Sequence, residues 1–198
     1  MKIDKTKIDK IFTFILIPGL TLLLSSYANI FTYNFSYIGN ELEHRVLFDI
    51  WGISVGLYFH HQLISIYKSS KIYNKKLYLV THIVWITELI AVILPYSSSH
   101  ITFLDQIHEL LALVSSISFA VLIEIYIYML YKNNNLNWIL YMKQYNILLL
   151  IAMFIFFILE HVTSLLEIYF TLMMCFYLYY LKYKAGIDYN NNFSESQI

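Results

Sequence analysis

Basic residues fall in alternate gaps between six long apolar runs, and this pattern constrains the chain more than any other feature. Lys2, Lys5, Lys7 and Lys10 precede the first run, and Lys68, Lys71, Lys75 and Lys76 fill the gap after the second. Lys132 and Lys143 bracket the gap after the fourth, and Lys182 and Lys184 follow the sixth. Of thirteen Lys and Arg residues, only Arg45 lies in an intervening gap. Lys and Arg beside apolar spans mark the cytoplasmic side of a membrane. The expected fold is therefore all-α: a polytopic six-transmembrane-helix bundle with both termini in the cytoplasm.

A run of about 20 apolar residues crosses a hydrocarbon core of about 30 Å. The predicted spans are Ile11–Asn29, Val46–Tyr67, Leu77–Tyr96, Ile107–Tyr131, Trp138–Leu159 and Val162–Leu181. Residues 1–182 form one membrane domain, leaving no room for a soluble catalytic module. Residues 183–198 are polar and are expected to be a disordered cytoplasmic tail. The Lys-rich start and Ser26-Tyr27-Ala28 resemble a signal peptide with its cleavage site. With five more spans to follow, an uncleaved anchor is the plainer expectation. Pro18-Gly19 is a candidate kink in span 1.

Composition closes off several functions. The formal net charge is zero, so nothing points to nucleic acid. Nineteen Tyr and three Trp suit interfacial belts. The single Cys175 has no internal disulfide partner. No nucleotide-binding glycine loop, G-x-S-x-G elbow or H-E-x-x-H is present. Glu160, His161 and Ser164 place a hydroxyl near an imidazole, but neighbours on one helix do not make a triad.

Ionisable groups within a bilayer are costly and are functional candidates by default. The larger set lies towards the outer ends of the spans. Asn146, Met153 and Glu160 recur every seven residues, and Glu160, Ser164 and Glu167 continue as an i, i+4, i+7 stripe. His161 adjoins Glu160. His108 and Glu109 open span 4, and Asp49 lies one turn from Arg45. These residues are expected to line an outer-facing pocket for a polar lipid headgroup, cationic or hydroxylated. Acid–base chemistry on lipid is a further option there. The plainer account makes Asp105 and Glu109 helix-start residues, favoured by the dipole.

A second set, His60, His61, His82 and Glu124, lies about 10 Å from the cytoplasmic helix ends at 1.5 Å per residue. Zinc needs converging ligands. No His-x-x-x-His pair exists, and His60 and His61 diverge by about 100°. Interhelical hydrogen bonding is the expected role, so no metal or other cofactor is assigned. With Glu88 near the middle of span 3, these groups form a candidate inner proton relay. Gly52 and Gly56 form a GxxxG on one face with Asp49 and His60. It permits close helix approach and allows a homo-oligomer. The expected partner is membrane lipid.

Three patches carry a family resemblance. Ser36-Tyr37-Ile38-Gly39-Asn40 is followed by Phe48 and the apolar Trp51–Phe59. Gln106-Ile107-His108 comes with Ala112, and Leu166-Glu167 opens span 6. In these the chain resembles the six-span family of damage-regulated autophagy modulators and GPI-lipid-remodelling proteins. Phe35 stands where that family usually has Pro. The resemblance implies an outer-facing polar pocket and a connection with lipid or membrane homeostasis. The rival expectations are a small proton-coupled transporter subunit and a non-catalytic immunity or assembly protein.

Overall fold

The computed structural model describes residues 5–70, 72, 74–97, 102–132 and 138–195. Lys71, His100 and most of the inner loop at 133–137 lie outside these. Among the described residues all regular structure is helical. The chain opens with α1 (Lys5–Ile11), a π-helical stretch at Phe12–Leu16 and α2 (Ile17–Ser25), which follow one another without leaving helical dihedral angles. The π turn sits just before Pro18, whose ring lacks an N–H and crowds the carbonyl four residues back. The ladder widens there instead of breaking.

A short α3 (Phe35–Asn40) follows, then α4 (Arg45–Ser69), α5 (Lys75–Ile93), α6 (Phe103–Lys132), α7 (Trp138–Leu159) and α8 (Ser164–Glu195). Among the described residues five helical segments are long and apolar enough to cross a membrane: Lys7–Ser25, Lys75–Ile93, Phe103–Lys132, Trp138–Leu159 and Ser164–Lys184. These make the chain an integral membrane protein by length and composition. At 1.5 Å per residue α4 is about as long as a bilayer core is thick. It carries more polar residues, several of them on the sides that meet α2 and α5.

Packing runs around a ring, α2 to α4 to α5 to α6 to α7 to α8 and back to α2, with α4 and α8 also meeting across the middle. Phe59, Leu63, Ile66 and Tyr67 on α4 and Met174, Leu178 and Leu181 on α8 are buried there. Large apolar side chains point outwards, among them Val46, Ile93, Phe103, Phe154 and Phe157. A lipid-facing surface has this character, because apolar side chains lose nothing by facing hydrocarbon.

The α4–α5 seam is set by small residues. A Cβ on Gly52 would stand 2.6 Å from Val92 Cγ2, and one on Gly56 would stand 3.4 Å from the Glu88 carboxyl. Both glycines thus face α5 of the same chain. At the inner end, Lys182 of α8 pairs with Asp9 of α1 at 2.5 Å, and Gln62 Nε2 donates to the same carboxylate. α8 continues as backbone helix to Glu195, across residues whose composition predicts disorder. Extending an established helix requires no new nucleation, and only nucleation is strongly unfavourable.

Candidate functional site

The polar groups of the outer set meet around the first loop. Asn34 starts α3 by accepting the Tyr37 amide at its side-chain oxygen, 2.8 Å away. The Phe35 amide, unpaired within so short a helix, donates to Glu167 Oε2 at 2.6 Å. Glu167 stands in the first turn of α8, where the helix dipole also favours a carboxylate. The free amides of that turn find partners in the same loop. Ser164 donates to the Tyr33 carbonyl through both its backbone N–H and its hydroxyl, and Leu165 N donates to the Ile30 carbonyl. His161 Nε2 lies 3.2 Å from the Thr32 carbonyl.

His108 joins three elements. In a regular helix the Ala91 carbonyl would accept from residue 95, but residue 95 is Pro and has no N–H. His108 Nδ1 fills the gap at 2.7 Å. A carbonyl only accepts, so Nδ1 carries the proton. In the neutral ring Nε2 then accepts from Ser36 Oγ at 2.8 Å. A serine hydroxyl on an oriented imidazole is the geometry of a nucleophile and its base. Here both residues are almost fully buried. What the pair does in this arrangement is tie α3 to α5 and α6.

Arg45 completes the end of α5. Its guanidinium donates to the carbonyls of Val92, Ile93 and Leu94 and to Asn40 Oδ1, and its Nε forms an ion pair with Asp49 Oδ1 at 2.9 Å. The last carbonyls of a helix have no partner of their own and carry partial negative charge. Asp105 receives the amides of Ser97 and Thr102 and the Thr102 hydroxyl at the start of α6.

Of the predicted headgroup residues, His108, His161, Ser164 and Glu167 therefore converge on the first loop, and Asp49 pairs with Arg45. Glu109 and Glu160 are exposed, and Glu160 takes a left-handed backbone (φ 61°) where α7 ends. The inner set divides. His60 Nε2 lies 2.7 Å from His82 Nδ1, with Trp85 stacked on the His60 ring. Glu88 packs against Gly56, and His61 is exposed beside Ser65. Glu124 accepts from Asn146 of α7, away from the histidines. Among the described residues no group of three His, Cys, Asp or Glu is placed to hold a metal ion.

Glu43 and His44 belong by sequence to the loop residues that join the outer polar set. They form the rim of a shallow groove of about 360 Å³ whose wall is Val46, Leu47 and Ile50 at the start of α4. Glu43 takes a left-handed backbone (φ 61°), which a residue with a Cβ adopts only at a cost of about 1–2 kcal/mol. The His44 ring lies against Tyr27, with ring centres 3.8 Å apart. A signal was present in the sequence: a carboxylate and an imidazole directly before an apolar helix start. Searches of family models, curated proteins and solved structures return no match to this chain.

Proposed function

We propose that the protein is a six-span membrane protein of lipid homeostasis, with both termini cytoplasmic, that binds a polar headgroup of an outer-leaflet lipid. The single observation carrying this reading is the Glu43–His44 groove. A carboxylate and an imidazole stand directly above Val46, Leu47 and Ile50, and Val46 and Ile50 are exposed on the lipid-facing side of α4. One end suits a cationic or hydroxylated headgroup and the other an acyl chain. Glu43 is held in a strained conformation at that rim, a feature typical of functional positions. His108, His161, Ser164 and Glu167 act in this reading as positioning residues, fixing the loop that carries the groove. α4 supplies the sixth crossing, consistent with Lys68 at its far end and the lysines that follow.

The family resemblance supports the same reading. Its three patches, at Ser36–Asn40, Gln106–His108 and Leu166-Glu167, come together around α3. The relay reading is weaker. At 1.5 Å per residue Asp49 is about 10.5 Å along α4 from Gly56, which faces Glu88, and from that level the His60–His82 pair is about 6 Å further along α4 and about 9 Å along α5. The apolar contact of Gly52 with Val92 interrupts the interval between Asp49 and Glu88.

Native mass spectrometry of the purified protein, carrying its co-purified lipid, tests the proposal. Glu43→Gln and His44→Ala are expected to lose that lipid while melting like the parent. Retention at the parental level in both variants would remove the groove from consideration.

A further inference from the structure

A cavity of about 570 Å³ lies at the opposite end of the molecule from the Glu43–His44 groove, between the end of α4 and the start of α5. Lys68 and Lys75 stand at its edge, Tyr78 and His82 on its wall, and Ile72 and Leu79 supply apolar lining. Both lysines are exposed, and neither has a carboxylate partner among the described residues. The first turn of α5 holds no acidic residue to balance Lys75 and Lys76. A cation there is opposed by the positive end of the helix dipole. Two ammonium groups thus face one cavity, Lys75 against the dipole of α5 and Lys68 in the last turn of α4, where the dipole favours a cation; a bound anion would neutralise both. Next to the cavity, Leu79, Val80 and Ile83 are exposed apolar residues of the membrane-crossing part of α5. Positive charge therefore sits at one end of a lipid-facing apolar strip.

We infer that this corner is a binding site for an anionic phospholipid, its phosphate between Lys68 and Lys75 and an acyl chain along Leu79 and Ile83. The occupant is anionic because neither lysine at the mouth has a carboxylate partner among the described residues. It is a lipid because the cavity continues into exposed apolar surface. A free phosphate would use the first feature and leave the second unexplained. The site is separate from the outer groove, so the two can fail independently.

The full-length protein is tested by native mass spectrometry with phosphatidylglycerol and phosphatidylcholine supplied in equal amounts. The parent is expected to retain phosphatidylglycerol preferentially. Each Lys→Gln change should weaken that retention about fivefold, and K68Q/K75Q about thirtyfold, since a basic residue at an anionic surface contributes about 1 kcal/mol. K68R/K75R should keep it, and Glu43→Gln should leave it unchanged. Equal retention of both lipids by the parent would overturn the proposal, as would undiminished phosphatidylglycerol on K68Q/K75Q. Displacement of the lipid by millimolar inorganic phosphate would overturn the lipid assignment in favour of a soluble anion. Both lysine side chains are exposed, so K68Q/K75Q should melt like the parent. Should it not, the charge-retaining K68R/K75R and the parental preference between lipids still decide.

Discussion

Gly52→Ala should destabilise the bundle while Gly56→Ala does not, although both glycines belong to one GxxxG and face the same helix. A Cβ at 52 would stand 2.6 and 2.9 Å from the two γ-carbons of Val92. Ordinary carbon contacts lie at about 3.5–4.0 Å, so the overlap approaches 1 Å. Val92 cannot swing aside, because a β-branched side chain in a helix has one strongly preferred rotamer. Nor can its backbone shift freely, since Arg45 holds the Val92 carbonyl at 2.6 Å. Overpacking of this kind costs about 1–3 kcal/mol. At 56 the nearest atoms are those of the Glu88 carboxyl at 3.4 Å, an ordinary contact at the end of a flexible side chain. Both changes gain about 1 kcal/mol of helix propensity, so that contribution cancels between them. Gly52→Ala should therefore be less stable than Gly56→Ala by about 1–3 kcal/mol. Val92→Ala added to Gly52→Ala should recover most of the loss, appearing as a coupling of similar size in a double-mutant cycle. Denaturant titration in a mild detergent measures all five proteins: the parent, the three single variants and the double variant. Equal effects at 52 and 56, or no rescue by Val92→Ala, would refute the close-packing argument.

The topology is tested with an impermeant thiol reagent on single cysteines placed at Glu43 and Lys76, both exposed, against the low background of buried Cys175. Labelling from opposite sides is expected, and labelling from one side would overturn the six-span reading. Arg45→Lys cannot reach three carbonyls and Asp49 together, so it should lower stability by about 1–3 kcal/mol through the carbonyls left unpaired. Amide exchange over residues 94–97 should then quicken, and an unchanged exchange profile would show that the guanidinium is dispensable. His108→Ala leaves the Ala91 carbonyl unpartnered and frees Ser36, again at about 1–3 kcal/mol. Proteolysis within residues 30–44 should rise in that variant, and undiminished protection there would remove His108 as a tie for the first loop.

Helix positions were legible in the sequence because membrane crossing demands continuous apolar length. The predicted span Trp138–Leu159 has the bounds of α7, and Val46–Tyr67 lies one residue inside α4 at its start and two at its end. Shared faces were legible too. The Asp49–Gly52–Gly56–His60 side of α4 does meet α5, because seven- and four-residue spacings stack on one face of a helix. The short α3 escaped notice, although Asn34 is a favoured cap residue. The outer polar side chains look like an open pocket in the sequence because their partners are not visible there. Those partners are backbone groups: the Phe35 amide and the carbonyls of Thr32, Tyr33 and Ala91. Backbone groups leave no mark in a sequence, so a site that the chain fills with its own loop looks the same as one awaiting a ligand.

Arg45 shows how an exception can be more informative than the rule it breaks. It is the one Lys or Arg outside the alternate gaps that hold the others, and by its position at the start of α4 it also opposes that helix's own dipole. Both disadvantages are local, and both are offset by a second helix. α5 ends at Ile93, two residues before Pro95, which cannot continue the ladder, so its last carbonyls are stranded within reach of Arg45. One guanidinium with five fixed donors can serve several of them together, as a lysine cannot. The alternation of charge is a statement about insertion, made helix by helix. Arg45 answers instead to packing between helices. A residue that violates the first kind of constraint in a chain otherwise obedient to it marks the place where tertiary structure sets the requirement.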